Sequence, residues 1–232
     1  MIAQTIDHTL LKPDATREDI ERLLQEAVDY SFYAVCIHPT WVPLAVQTLK
    51  KSSVKVATVI GFPHGATFPE VKAYETYQAV QQGAEEVDMV INIGALKSGD
   101  LDVLRRELDT VIEAAKPRAL VKVIIETALL TDDEKRLATE LAVEAGADFV
   151  KTSTGFAGGG ATLKDVRLLK DIVGERAKVK ASGGIRDLGT ALRMLDAGAA
   201  RLGTSSGVAI MHELLEGKKG VAPSDASSND RY

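Results

Sequence analysis

Lys151 closes a short apolar run, Phe149-Val150-Lys151, and opens directly onto Thr152-Ser153-Thr154-Gly155-Phe156-Ala157-Gly158-Gly159-Gly160. Lysine is among the residues least often fully buried, so one set at the end of such a run needs a partner or a task. The hydroxyls and unobstructed amides behind it suit an anionic oxygen cluster such as phosphate. An amine a few residues from an anion cradle points to chemistry on a phosphorylated carbonyl compound. A second lysine, Lys180, stands in the similar run Val179-Lys180-Ala181-Ser182. A free lysine titrates near 10.4, so only about one molecule in ~2,500 carries a nucleophilic amine at pH 7. A second ammonium at about 5 Å, with an effective dielectric near 20, adds roughly 3 kcal/mol of repulsion, or about two pKa units. The pair would make Lys151 the nucleophile and Lys180 its charged neighbour, with Asp88 accepting or relaying protons. The plainer reading makes both lysines members of structural ion pairs, with Asp88 and Glu126 as counter-ions.

These groups need elements to hold them, and the chain supplies an alternation. Short apolar runs predict strands over 5–10, 34–37, 54–60, 86–92, 120–126, 148–152, 178–181 and 201–203. Between them, apolar residues recur at helical spacing. Ile20, Leu23, Leu24, Ala27 and Val28 follow the capping pair Thr16 and Asp19. Further helices are expected over 42–49 and 69–82, around Leu101 to Ile112, behind Thr131 and Glu134, around Val166 to Val173, and over 188–197 and 208–215. Gln82-Gly83-Ala84, Ala145-Gly146-Ala147 and Ala197-Gly198-Ala199 recur where a helix gives way to a strand; glycine there suits a left-handed cap. Eight strand–helix units predict one α/β domain over 1–216, a closed (β/α)8 barrel of the TIM type rather than an open doubly wound sheet. Residues 217–232 are polar and predict a short mobile tail.

In such a barrel, chemistry sits at the C-terminal ends of the strands. Alternation puts Asp88 on one face with Val90 and Asn92, Lys122 with Ile124 and Glu126, and Lys180 with Lys178 and Ser182. Lys151 and Lys180 can then share one mouth, with Asp7 reaching it from strand one. The loops Ser182-Gly183-Gly184-Ile185-Arg186 and Gly203-Thr204-Ser205-Ser206-Gly207 take the phosphate position of this architecture, each ahead of a helix N-terminus. Ordinary turns are the alternative for both loops.

Bulk composition narrows the function classes. Of 232 residues, 45% are apolar and 26% charged, enough for a sizeable core. The net charge of -5 argues against general nucleic-acid or anionic-membrane binding. No apolar run has transmembrane length, and the first residues lack a signal-peptide pattern. Cys36, alone, excludes an intrachain disulfide, which fits the cytoplasm. The spacing of His8, His38 and His64 makes no metal set.

Several segments together resemble the deoxyribose-phosphate aldolase family. They are Asp7-His8-Thr9-Leu10, Cys36-Ile37-His38-Pro39, Glu86-Val87-Asp88-Met89-Val90, Lys122-Val123-Ile124-Ile125-Glu126-Thr127, Phe149 to Gly155, Val179 to Arg186, and Gly203-Thr204-Ser205-Ser206. The resemblance covers residues 1 to 216. It implies a class I, metal- and cofactor-free, reversible cleavage of 2-deoxyribose 5-phosphate into acetaldehyde and glyceraldehyde 3-phosphate. Lys151 would form the Schiff base, and Lys180 and Asp88 would support proton transfer. Asp7, Thr9, Lys122, Thr152 and Cys36 would contact the substrate. Gly155, Gly183, Gly184, Arg186, Gly203, Thr204, Ser205 and Ser206 would hold the phosphate. Some relatives carry a lysine where this chain has Phe156, which shifts the phosphate's charge onto Arg186 and helix N-termini. Some also end in a tyrosine, as Tyr232 does here, and homo-oligomers, dimers or tetramers, are expected. Outside the resemblance, a sugar-phosphate isomerase, a different Schiff-base lyase and a non-enzymatic sugar-phosphate binder stay open.

Overall fold

In the computed structural model, which describes residues 2–219, capped helices alternate with short strands. The strands are β1 (Ile6–Leu10), β2 (Ala34–Ile37), β3 (Lys55–Ile60), β4 (Glu86–Val90), β5 (Leu120–Ile124), β6 (Phe149–Lys151), β7 (Lys178–Ser182) and β8 (Arg201–Thr204). The α-helices are α1 (Arg17–Asp29), α2 (Val42–Leu49), α3 (Pro69–Gln81), α4 (Ile93–Ser98), α5 (Leu101–Ala115), α6 (Asp132–Glu144), α7 (Leu163–Val173), α8 (Leu188–Asp196) and α9 (Gly207–Lys219). Each strand pairs in parallel with the next, and β8 returns to pair with β1. That last pairing decides between the two topologies: the sheet is a closed (β/α)8 barrel.

Local chemistry sets the element ends. Thr16 and Thr131 each accept a hydrogen bond from the amide three residues on, and the carboxylates of Asp19 and Glu134 accept one from the threonine amide. The three recurring glycines are left-handed, with φ of 101° at Gly83, 89° at Gly146 and 111° at Gly198. Each sends the chain straight into a strand. The following alanine amide donates back to the helix's last turn, Ala84 to Ala79, Ala147 to Ala142 and Ala199 to Met194.

Alternation divides the strand residues into two populations. Val35, Val56, Val87, Met89, Val121, Val123, Val150, Val179 and Leu202 join Leu24, Leu108, Leu141 and Leu169 of the helices in one continuous apolar core. Each such side chain contributes about 1.5–3 kcal/mol on burial, so this outer layer carries the fold. Inside the barrel Cys36, Ala57 and Val59 form a small apolar group with Leu11. Buried charged side chains of the strands share that interior.

Two buried ion pairs clamp neighbouring helices. Lys72 of α3 donates to Glu107 Oε2 of α5 at 2.5 Å and to the Val90 carbonyl at 2.7 Å, while Glu107 Oε1 accepts from Asn92 N at 2.7 Å. Lys135 of α6 meets Asp165 of α7 at 2.6 Å.

The structure departs from the sequence reading in three places. Asn92 is not strand: its side chain accepts from Ala95 N and opens α4, which periodicity did not reveal. Strand β5 ends at Ile124, and Glu126 has turned left-handed, so it does not continue the Lys122 face. Helix α9 continues to Lys219, past the expected boundary at 216; the remainder of the expected tail, with Tyr232, lies outside the described residues. Among the described residues no helix is long and apolar enough to cross a membrane.

Candidate active site

Strands β4, β6 and β7 bring Asp88, Lys151 and Lys180 together. Asp88 Oδ2 accepts from Lys151 Nζ at 2.8 Å and from Lys180 Nζ at 2.8 Å, so both amines lie on the same side of the sheet. The expectation of two bare ammonium groups repelling each other needs correction. A carboxylate stands between them and offsets much of that repulsion, as the plainer reading of Asp88 as counter-ion anticipated. Glu126, the other counter-ion of that reading, instead accepts from Thr154.

The charged group extends downward through the barrel. Lys122 Nζ reaches Asp88 Oδ1 at 2.7 Å and Glu86 Oε2 at 2.6 Å. Lys180 also donates to Asp7 Oδ2, and Arg201 joins Asp7 Oδ1 at 2.9 Å to Glu86 Oε2 at 2.6 Å. The Arg201 guanidinium lies 3.4 Å from the centre of the Tyr33 ring, a cation–π contact. Three carboxylates therefore meet four cations, leaving one excess positive charge when all seven are ionised.

Burial and charge oppose each other at Asp88, Asp7 and Lys180. Burial works to raise the Asp88 carboxyl, but the ammonium groups of Lys122, Lys151 and Lys180 outweigh it and hold it well below the usual carboxylate range. Burial likewise works to raise Asp7, and Lys180, Lys122 and Arg201 together bring it down. For Lys180 burial works downward, and Asp7 and Asp88 overcome it and push the amine up. Asp88 is thus a firmly held anion and Lys180 a firmly held cation.

A cavity of about 310 Å³ opens above this group at the C-terminal ends of the strands. Lys151 lines it, as do Thr9, Gly155, Gly183, Gly184 and Arg186; Gly203, Thr204 and Ser205 complete the same wall. A larger cavity of about 420 Å³ lies among Tyr33, Glu86, Arg118 and Asp148 at the strands' N-terminal ends. It borders none of the five lysines buried among the described residues, Lys72, Lys122, Lys135, Lys151 and Lys180, so size does not choose the site. Position and the amine do.

Not every expected residue reaches the upper cavity. Asp7 and Lys122 are fully buried in the ion network. Thr152 turns its hydroxyl to the Ser182 carbonyl at 3.2 Å. Cys36 packs on Leu11 and Ala57 inside the barrel, and burial raises its thiol pKa, with Asp88 adding to the effect. Ser206 donates its amide to Thr204 Oγ1 at 2.9 Å. The N-terminus of α8 is occupied too, because the Asp187 carboxylate accepts from Thr190 N at 2.7 Å. The start of α9, at Gly207, follows a cavity loop with no acidic residue between them. Phe156 stands half-exposed at the mouth, edge-on to Phe62 at 5.3 Å between ring centres.

The sequence reading missed Glu86 and Arg201. The signal was available: each stands two residues before an inward position, Asp88 and Gly203, so alternation turns both into the barrel.

The chain matches the model of the DeoC/LacD family of aldolases over residues 1–213. It is 61% identical over 212 residues to a deoxyribose-phosphate aldolase of Halalkalibacterium halodurans, covering 91% of this chain and 95% of that one. A deoxyribose-phosphate aldolase of Carboxydothermus hydrogenoformans is 62% identical over 220 residues, 94% and 96% of the two chains. Among solved structures, the tetrameric deoxyribose phosphate aldolase of Aeropyrum pernix superposes with a TM-score of 0.86 at 37% identity, covering 92% and 91%. A family match running from the first strand into the last helix, with identities above 60% to relatives covered almost end to end, places this chain in the DeoC/LacD family of aldolases.

Proposed function

We propose that this protein reversibly cleaves 2-deoxyribose 5-phosphate into acetaldehyde and glyceraldehyde 3-phosphate through a Schiff base on Lys151. The observation that carries this reading is that, among the described residues, Lys151 is the one buried lysine lining the upper cavity, whose other wall is made of glycine- and hydroxyl-rich loops. The likeness to the aldolases of Halalkalibacterium halodurans and Carboxydothermus hydrogenoformans supplies the substrate.

The chemistry follows from the charge count. Loss of one proton brings the buried group to neutrality, and Lys151 is the member placed to meet a carbonyl. Its free amine adds to the C1 aldehyde, and uptake of one proton with loss of water gives an iminium. The C3 hydroxyl then gives up its proton, the C2–C3 bond breaks, and the bonding pair moves into the iminium to leave an enamine. Glyceraldehyde 3-phosphate departs. Protonation of the enamine at C2 and hydrolysis release acetaldehyde and restore the amine. Asp88 and Lys180 support the proton movements: the enamine nitrogen is uncharged, so its formation removes one of the three cations that depress Asp88. The carboxylate's proton affinity rises just as a proton must be held nearby.

Thr9 orients the sugar, while Arg186 and the loops at Gly183 and Gly203 meet the phosphate. Asp7 and Lys122 act through Lys180 and Asp88, which they contact directly. The lone cysteine fits a cytoplasmic setting. The chain assembles with copies of itself through α3 and its N-cap: Phe68 at the cap and Val71, Tyr74 and Tyr77 on the helix are 74%, 49%, 65% and 48% exposed.

The direct test is turnover by Lys151→Arg. Guanidinium keeps the positive charge and stays protonated, so it cannot add to an aldehyde. Release of acetaldehyde from 2-deoxyribose 5-phosphate is expected to fall by at least ~1,000-fold with the fold retained by circular dichroism. Near wild-type cleavage by that variant would contradict the assignment.

A further inference from the structure

Glu126 is one of two non-glycine residues with a left-handed backbone among those described, with φ 57° and ψ 66°. Ser31, the other, is exposed and small; Glu126 is buried, with a long charged side chain. The left-handed region is unfavourable for an L residue, so surrounding contacts must hold it there. Those contacts are visible. Glu126 Oε2 accepts from Thr154 N at 3.1 Å and from the Thr154 hydroxyl, while Thr154 Oγ1 accepts from Phe156 N at 3.1 Å. Next door, Thr127 N donates to the Thr152 carbonyl at 2.9 Å. The turn after β5 is thus laced to the turn after the Lys151 strand.

The lacing selects which amide remains free. Of Thr154, Gly155 and Phe156, the outer two donate to Glu126 and to Thr154 Oγ1, and Gly155 N makes no hydrogen bond among the described residues. Gly155 lines the upper cavity, with φ 86°. A Cβ there would touch nothing within 4 Å, so conformation rather than crowding calls for glycine. A carboxylate close to an anion site is repulsive unless its charge is consumed elsewhere. At Glu126, Oε2 accepts from two donors of the loop itself, while Oε1 is buried with no partner among the described residues.

We propose that Glu126 is a positioning residue that shapes the Thr154–Phe156 turn, leaving the Gly155 amide for the substrate's phosphate and so setting the preference for phosphorylated sugar. This rests on the deoxyribose 5-phosphate reading above. The test compares kcat/KM for 2-deoxyribose 5-phosphate with that for unphosphorylated 2-deoxyribose in Glu126→Ala and Glu126→Gln. The alanine variant is expected to lose about tenfold or more of the ratio, mainly through KM for the phosphorylated sugar. Glutamine, which keeps an acceptor oxygen at the same reach, is expected to restore most of it. Equal losses on both sugars, or an unchanged ratio, would overturn the proposal. Should Glu126→Ala not fold, Thr154→Val removes the hydroxyl that links Glu126 to Phe156 N, and the same fall in the ratio is expected. If the unaltered protein cleaves neither sugar, the functional reading fails instead, a result distinguishable from either of these.

Discussion

Asp88 touches three ammonium groups at 2.7 to 2.8 Å, and no other carboxylate of the network is so placed. Its folded-state pKa is depressed, so it stabilises the protein above its ordinary value of 3.8, and that stability is lost as pH falls through the lower folded value. Lys180 is shifted the other way: its contribution is complete below 10.5 and is lost only as pH rises through the raised folded value. Asp88→Asn leaves buried cations uncompensated and is expected to destabilise by roughly 3–5 kcal/mol at pH 7. Urea titrations should show the gap to the unaltered protein closing as pH drops below 3.8. A gap that persists unchanged at pH 2.5 would mean that Asp88 is not ionised in the fold. At this scale the sequence was informative about which residues meet and poor about how. Parity within strands assembles Asp88, Lys151 and Lys180. It says nothing about a side chain lying between two others, so the shared carboxylate oxygen was not visible, and repulsion between the lysines and pairing with Asp88 stood as alternatives.

Helices and strands were legible where the pattern is local. Capping threonines at 16 and 131 and the glycines at 83, 146 and 198 mark turns by chemistry that needs no tertiary context. What failed was the exit from β4. Val90-Ile91-Asn92-Ile93 alternates like a strand, yet Asn92 leaves it because its amide is taken by Glu107, fifteen residues on, and its side chain by α4. The same Glu107 anchors Lys72, whose pKa is lowered by burial against the pull of its partner. Lys72→Met strands a buried carboxylate and leaves the Val90 carbonyl without its donor. Chemical denaturation should show a loss of about 3–5 kcal/mol. A loss under ~1 kcal/mol would mean that the exit from β4 is held by the sheet alone.

For the whole molecule, the apolar layer between sheet and helices lets the barrel's interior be charged. Eight units of similar length made closure predictable from sequence. The charged interior was less so, because inward and outward populations separate only once alternation is fixed for every strand. Outside the barrel, Phe68 at the N-cap of α3 and Val71, Tyr74 and Tyr77 along the helix are exposed. Replacing Tyr74 with glutamate is expected to shift the assembly toward monomer in light scattering, with circular dichroism and cleavage per active site retained. An unchanged mass would move the subunit contact elsewhere.

A Schiff base on Lys151 requires its amine to bond covalently to a substrate carbon. Incubation with acetaldehyde and borohydride, followed by peptide mass mapping, should find a reduced two-carbon adduct on Lys151 and none on Lys122 or Lys180. Cleavage of the sugar phosphate without any trapped adduct, or an adduct placed on Lys180, would contradict it.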